Sequence, residues 1–200
     1  MANVQVAGFQ PRFKGAQTAS LIRRRVLTNN TDPIAMYDAL DNVSDGNVIA
    51  HTTETGEVFS VMGGPASYIN SSGQRIERNK LPAATTYTST GVNPANASYV
   101  MCVEDTVATQ FTASVDEAIA LTDIGINYQM VLTVATGDFS LHELDATSRG
   151  TTATLGFRVM EFVIGDPTSD PDAADAKVVC MINAGKREPA LEPDNGSLGT

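Results

Sequence analysis

The sequence predicts an all-β fold, and two patterns in its second half carry this prediction. Apolar and polar residues alternate over residues 108–113 and 127–135, which is the pattern of a strand buried on one face. Residues 177–183 are almost continuously apolar, as expected of a strand covered on both faces. Turn formers separate these runs, and helical periodicity is scarce. We expect a barrel-like or sandwich body with an extended N-terminal arm and a loose C-terminal tail.

Five strands are predicted in the second half of the chain. They cover residues 99–103, 107–113, 127–135, 152–164 and 177–183. In the fourth strand Phe157 and Val159 share one face, whereas Phe162 falls on the other. This change of parity near residue 160 predicts a β-bulge, which bends a strand.

The first half is less regular. Residues 47–53 and 57–62 resemble a hairpin joined around residues 54–56, and Gly63-Gly-Pro65 is expected to end that pair. Residues 69–74 are typical of a turn. The only helical signal lies at 114–121, where Ser114 as N-cap and Glu117 in a capping box favour one or two turns of helix.

We divide the chain into an extended basic arm (residues 1–30), a β body (31–183) and a C-terminal tail (184–200). The body could consist of a small β subdomain at 31–78 and a barrel at 98–183. The polar segment 79–97 would join them, either as an interaction loop or as a mobile one, because it is long for a simple connection.

Charge is distributed unevenly along the 200 residues. The chain has a net charge of −10, yet its first 25 residues contain five basic side chains and no acidic one. A basic arm on an acidic body suggests that the two ends meet different environments, and a protein surface is the preferred partner of the arm. Nucleic acid is an unlikely partner, because five charges bind phosphate weakly while the acidic body repels it.

Neither a membrane nor an oxidising compartment is indicated. No apolar run approaches the ~20 residues that span a bilayer, and the N-terminus does not have the pattern of a signal peptide. We therefore expect a soluble protein in which Cys102 and Cys180, both inside predicted strands, are buried free thiols.

Few residues suggest chemistry. We interpret His51 and His142 as surface histidines, since no Gly-x-Ser-x-Gly elbow is present, although a Ser/His/Asp triad can still assemble in space. Residues 166–175 hold four carboxylates that would suit Ca²⁺, but the segment lacks the glycine of a calcium loop, and a solvated turn is the preferred interpretation. We expect no catalytic residue, no cofactor and no metal site.

Several short motifs recur, in this order, in one known group of proteins. They are Gly8-Phe9-Gln-Pro11, Val43-Ser-Asp-Gly46, Thr112-Ala-Ser-Val-Asp116, Thr122-Asp-Ile-Gly125-Ile-Asn-Tyr128, Leu144-Asp-Ala-Thr147 and Val178-Val-Cys-Met-Ile-Asn183. Together they resemble the capsid decoration, or cement, proteins of tailed bacteriophages, over residues 8 to 185. The resemblance implies an all-β body with an extended N-terminal arm, often assembled as a trimer on the outside of a shell of coat protein.

The resemblance implies a non-catalytic virion protein that is made in the host cytoplasm and stabilises contacts between major capsid protein subunits on the outer surface. A tail or head-fibre component is the alternative, and a hydrolase with a hidden triad is a weaker one. The candidate coat-binding residues all lie in the arm: Phe9, Arg12, Phe13, Lys14, Arg23, Arg24 and Arg25. We expect the two phenylalanines to act as apolar anchors and the basic residues to guide docking.

Overall fold

The computed structural model describes residues 8–12, 21–27, 30–43, 46–54, 58–83, 97–104, 109–152, 155–163 and 176–183. Within these residues the all-β prediction is confirmed. Helical structure among them is limited to 3₁₀ turns, such as Leu121–Asp123 and Ala146–Ser148. The strands form two larger antiparallel sheets and two short ribbons rather than a closed barrel, so of the two predicted bodies the sandwich is the one observed.

Sheet I is formed mainly by the second half of the chain. In spatial order its strands are β1 (Gln10–Arg12), β10 (Gln110–Ser114), β15 (Lys177–Ile182), β14 (Phe157–Phe162) and β11 (Asn127–Tyr128). The predicted bulge is confirmed, because the register of β14 against β15 shifts between Val159 and Glu161. The extra residue brings Phe162 back to the face that Phe157 and Val159 already bury in the core.

Sheet II combines both halves of the chain. Its strands are β2 (Leu21–Arg25), β9 (Tyr99–Glu104), β6 (Ser60–Ile69), β4 (Ala39–Val43) and β5 (Asn47–Ala50) in spatial order, and β7 (Arg75–Arg78) pairs with one end of β6. The two ribbons are β3 (Ile34–Ala35) with β8 (Lys80–Leu81), and β12 (Met130–Val131) with β13 (Glu143–Leu144).

Sheet II is buried on both faces over much of its area. One face contributes Ala39, Val61 and Val103 to a core shared with sheet I. The opposite face places Leu40, Met62 and Cys102 in a second core, which the β3–β8 ribbon covers with Ile34 and Leu81. Since β9 pairs with both β2 and β6, the segment 79–97 does not separate two sheets. Of that segment, residues 84–96 lie outside the described residues.

The described parts of the predicted arm belong to the body. β1 is an edge strand of sheet I, paired with β10, and β2 is paired with β9 in sheet II. Phe9, which precedes β1, is fully buried, and its ring stacks on that of Phe157 at a centroid distance of 4.0 Å. The expectation of an arm that extends away from the body is therefore wrong for residues 8–12 and 21–27.

The predicted hairpin between residues 47–53 and 57–62 is also wrong. β5 pairs with β4 instead, with Leu40 opposite Ala50, and β4 also pairs with β6 on its other side. The turn formers at 63–65 do not end a strand, because Gly63, Gly64 and Pro65 lie inside β6. The register of β6 against β9 shifts twice around these residues, so they are accommodated as irregularities within a ten-residue strand.

Two further local predictions differ from the structure. Ser114 ends β10 instead of starting a helix, because Val115 bridges Leu144 and the carboxylate of Asp116 accepts a hydrogen bond from the N–H of Ala146. The strand predicted at 127–135 is interrupted after two residues, where the N–H of Gln129 turns to the hydroxyl of Ser148. In both places a contact with a distant loop competes with the local pattern.

Both cysteines are free and buried, as predicted. They belong to different cores, Cys102 to that under the β3–β8 ribbon and Cys180 to that between the sheets. Burial raises the pKa of the Cys180 thiol, which keeps it protonated. Among the described residues there is no helix with the length and apolar character needed to cross a membrane.

Candidate functional site: a basic groove beside the edge strand β2

The three adjacent arginines lie on an edge strand of sheet II. Arg23 is opposite Met101, Arg24 opposite Val100 and Arg25 opposite Tyr99 in β9. Since side chains alternate along a strand, Arg23 and Arg25 lie on one face of the sheet and Arg24 lies on the other. This alternation divides the basic cluster between two surfaces.

Aromatic rings position two of these charges. The guanidinium carbon of Arg23 lies 3.9 Å from the centre of the Tyr99 ring, and that of Arg24 lies 5.7 Å from the centre of the Phe59 ring. Both distances fit cation–π contacts, which are worth about 0.5–1 kcal/mol at exposed sites. The rings therefore hold the two guanidinium groups near the sheet.

A shallow groove of about 300 Å³ lies on the face that carries Arg23. Its apolar lining is formed by Leu21, Pro65, Tyr99 and Met101, and its charged lining by Arg23 and Glu77. Ser67 and Val100 complete the lining, and we call this depression the β2 groove. Leu21 is 43% exposed, so part of its apolar surface is open to solvent.

Further arginines surround the β2 groove. Arg25 shares the face of Arg23, and Arg75 donates a hydrogen bond of 2.9 Å to Ser67, which also lines the groove. Arg23, Arg25 and Arg75 thus lie in or beside the groove with one glutamate, Glu77, on a chain whose net charge is −10. This surface has the opposite sign to the protein as a whole.

Two glycines of β6 lie close to side chains of the β2 groove. A Cβ atom on Gly63 would lie 2.4 Å from Cγ2 of Val103 and 3.0 Å from Cδ2 of Leu21, and one on Gly64 would lie 2.9 Å from Cβ of Met101. A side chain at either position would therefore collide with the neighbouring residues. Only glycine lets Leu21 and Met101 approach the backbone of β6 this closely.

The other predicted site residues do not join the β2 groove. Arg12 lies on sheet I, where its guanidinium forms an ion pair of 2.7 Å with Glu161. Phe9 is fully buried in the core between the sheets, so it is not an exposed anchor in this subunit. Phe13 and Lys14 lie outside the described residues.

Sequence reasoning missed most of the groove. It identified Arg23 but treated Tyr99 and Met101 only as strand residues, and it took Gly63, Gly64 and Pro65 as the end of a strand. The available signal was that pair of glycines next to an apolar strand, since a glycine inside a strand often marks a close approach of other groups. The pairing of β2 with β9, which joins residues nearly 80 positions apart, has no local signal.

A second polar cluster lies in the interior, where the N-terminal strand enters the body. Nε2 of His142 is 3.8 Å from Oδ1 of Asp38, and Nδ1 of His51 is hydrogen-bonded to Asp41. The exposed fractions of His51 and His142 are 4% and 7%, so the interpretation of both as surface histidines is wrong. Each is buried next to an aspartate that the linear sequence does not place beside it.

Hydrogen bonds at this buried cluster hold the start of β1 in place. The N–H of Gly8 donates to the carbonyl of His142 at 2.8 Å, and the N–H of Phe9 donates to the carbonyl of Tyr37 at 3.1 Å. Ser140 lies close to Asp38 and His142, but it is fully buried. Its hydroxyl accepts a hydrogen bond from the N–H of His142. A substrate would not reach that hydroxyl, so we assign the cluster a structural role.

Burial controls the ionisation of the cluster. It lowers the pKa of His142 below its usual value of 6.5, an effect that the nearby charge of Asp38 opposes and that of His51 reinforces. Burial also raises the pKa of Asp38 above 3.8, against the charge of His142 and a hydrogen bond from Ser140. Acidification thus forces a charge onto a histidine whose surroundings disfavour it.

We expect the folded protein to lose stability as the pH falls from about 7.5 to 5.5. Because the pKa of His142 is lowered by folding, its contribution is complete above pH ~6.5 and is lost as the pH falls through the folded-state pKa. Folding raises the pKa of Asp38, so the contribution of Asp38 to stability changes with pH in the opposite direction. The measurement is the melting temperature of the wild type and of His142→Gln at both pH values.

The His142→Gln variant should show a smaller pH-dependent loss than the wild type. The matched control is His51→Gln, which removes the only other histidine and should keep the loss. Equal pH dependence of the wild type and His142→Gln would contradict the assignment to His142.

Comparisons with known proteins do not add a family to these observations. No protein-family model, no curated protein and no solved structure matches the chain. Among the described residues, no group of three or more His, Cys, Asp or Glu side chains is arranged to hold a metal ion. The acidic segment 166–175, considered above for Ca²⁺, lies outside them.

Proposed function

We propose that this chain is a non-catalytic structural protein that docks on the outer surface of a bacteriophage capsid and stabilises contacts between major capsid protein subunits. The motif resemblance supplies the class of protein. The β2 groove is the observation that carries the docking role, because it combines exposed apolar surface with a concentration of arginines on an otherwise acidic molecule.

The chemistry of the groove fits a protein surface that presents carboxylates. A guanidinium pairs a carboxylate through two hydrogen bonds and tolerates partial loss of water better than an ammonium group does. Leu21 and Met101 offer apolar contact beside these charges. The depression is shallow and open to solvent, unlike the clefts that bury most of a small ligand, so the partner would be an extended surface.

Affinity on a broad shell surface would depend on many weak sites acting together. Single exposed ion pairs contribute about 0.2–1 kcal/mol each, so one groove holds a subunit weakly. A homotrimer would bring three grooves to the shell at once and increase the effective concentration at each. The proposed function therefore includes assembly as a homotrimer.

Docking is assigned here to the edge of sheet II and not to a projecting arm. Phe9 supports the core of its own subunit, and Arg12 is engaged with Glu161. Of the residues proposed from the sequence, Arg23 and Arg25 lie on the face of the groove, while Arg24 lies on the opposite face. The coat-binding set then becomes Leu21, Arg23, Arg25, Tyr99 and Met101.

The test is the stoichiometry of the protein on purified capsids of the phage that encodes it. Shells stripped of the protein and then incubated with it should bind it in a fixed ratio to coat subunits, and the loaded shells should resist heat and osmotic shock better than bare shells. Recovery at only a few copies per particle would instead indicate a tail or head-fibre part. No binding to shells or virions would contradict the proposal.

A further inference from the structure

One loop of the body exposes apolar side chains away from the β2 groove. Residues 132–141 lie between β12 and β13 and include Val134 and Phe139, which are 73% and 39% exposed. Val134 is the most exposed large apolar side chain in the part of the chain that the structure describes. Because burial of apolar surface is the main driving force for most protein association, this loop is a candidate contact surface.

The ring of Phe139 is supported by a tyrosine in a strained backbone conformation. The centres of the Tyr37 and Phe139 rings are 5.9 Å apart, and Tyr37 has a φ of +74°. Among the described residues it is the one residue other than glycine with a positive φ. The N–H of Tyr37 donates to the carbonyl of Met62 and its carbonyl accepts from the N–H of Phe9, so the fold imposes this conformation. Strain of this kind at a bulky residue is a reason to look for a function of its side chain, here the support of an exposed aromatic ring.

Hydrogen bonds hold the loop against the β3–β8 ribbon. The ammonium of Lys80 donates to the carbonyl of Ala135 at 2.7 Å. The N–H of Met36 donates to the carbonyl of Asp138 at 3.0 Å, and the carbonyl of Met36 accepts from the N–H of Ser140 at 2.8 Å. The exposed residues are therefore fixed before any partner binds, and a fixed surface loses little conformational freedom on association.

A second copy of this chain is the partner that the charges favour. Copies with a net charge of −10 repel each other, so a contact between them requires a surface without an excess of acid. Tyr37, Val134 and Phe139 have one charge of each sign beside them, the ammonium of Lys80 and the exposed carboxylate of Asp138. In an assembly of identical copies, Lys80 of one copy can meet Asp138 of the next. We call these five residues the Phe139 surface.

We propose that the Phe139 surface is the contact between copies of this chain in its oligomer. Val134 and Phe139 are buried against a neighbouring copy, and Lys80 pairs with Asp138 across the contact. None of the five residues lines the β2 groove, so self-association and docking use different side chains. The inference rests on the proposed function for the number of copies, which is three there, and not for the position of the contact.

The mass of the full chain in solution, measured by sedimentation at micromolar concentration, tests this contact. The wild type should sediment as an oligomer of three chains of 21.1 kDa. Val134→Glu places a carboxylate inside the contact, where loss of water is costly, so the dissociation constant should rise about a hundredfold or more. The matched control is Leu121→Glu, because Leu121 is 61% exposed in a different loop and its substitution adds the same charge. This control should keep the mass of the wild type.

Charge reversal provides a second readout. Asp138→Lys would place two cations opposite each other and should weaken association about tenfold, and the further exchange Lys80→Glu should restore it. A double variant that associates no better than Asp138→Lys would overturn the pairing of these two side chains. The melting temperature of each variant shows whether it is folded, since Lys80 also donates within its own subunit.

The outcomes separate this inference from the docking role of the β2 groove. An oligomer that persists equally in Val134→Glu and Leu121→Glu would overturn the inference and leave docking on shells intact. A monomeric wild type would overturn it too, and if Val134→Glu then abolished shell binding, the Phe139 surface would contact the coat and not a second copy. A dimer that Val134→Glu dissociates would support the contact between copies and correct only the number of subunits in the proposed function.

Discussion

Replacing Phe9 with alanine should lower the free energy of unfolding by about 3–5 kcal/mol. The Phe9 ring is fully buried and lies nearly parallel to that of Phe157, with an angle of 4° between their planes. Its removal would leave a cavity between the two sheets that neighbouring strands can only partly fill. Gly8 adds to the constraint, because its φ is +100° and a Cβ atom added to it would lie only 2.5 Å from Cβ of Ser140, which leaves no room for another side chain.

Urea unfolding and thermal melting measure this effect. For a chain of this size each kcal/mol corresponds to about 2–4 °C in melting temperature. The matched control is Phe139→Ala, since Phe139 is 39% exposed and should cost much less. A Phe9→Ala protein that is as stable as the wild type and fails only in binding shells would restore the anchor role that the sequence suggested.

The position of Phe9 also changes what a truncation means. From the sequence, deleting residues 2–15 should leave a folded body that no longer stabilises shells. In the structure the same deletion removes Phe9 and β1, which pairs with β10 along three residues. We therefore expect the truncated chain to be strongly destabilised. Loss of shell protection by that variant would not show that an arm is the clamp.

Much of sheet I, and β9 of sheet II, could be predicted from the sequence because the signals are local. β9, β10, β14 and β15 each lie within or close to a predicted strand, and the parity change that predicts the bulge in β14 is visible between Phe157 and Phe162. Burial of Cys102 and Cys180 follows from their places inside apolar runs. In these segments the amino-acid pattern and the tertiary environment favour the same structure.

The remainder depends on contacts between distant residues. The helix signal at Ser114 was overridden because Asp116 caps the N–H of Ala146, thirty residues away. The two histidines were misjudged because their partners, Asp38 and Asp41, approach them only in the folded chain. The β2 groove was missed for the same reason, since β2, β6 and β9 supply its lining from three separated segments.

The double variant Arg23→Ala, Arg25→Ala should have the largest effect on shell binding among substitutions that leave the fold intact. Removing two exposed ion pairs of about 0.2–1 kcal/mol each lowers the affinity of one groove by roughly 2- to 30-fold, and three grooves in a trimer would multiply this loss. The fold should be little affected, because β2 keeps its backbone pairing with β9.

Arg24→Ala is the matched control for this double variant. It removes an arginine from the same strand but from the opposite face, where the side chain lies over Phe59. Its shell affinity should therefore stay close to that of the wild type. An Arg24→Ala variant that binds as weakly as the double variant would indicate that net charge, and not the face of the groove, determines docking.

The central claim, that the β2 groove docks this protein on a coat shell through its arginines, is tested most directly by shell occupancy at two salt concentrations. At about 50 and 500 mM salt the Debye length is roughly 14 and 4 Å, so exposed charge pairs are screened mainly at the higher value. The wild type and Arg24→Ala should lose occupancy between the two conditions, whereas the Arg23→Ala, Arg25→Ala variant should start lower and change little. An equal salt response in all three proteins would contradict docking through this groove.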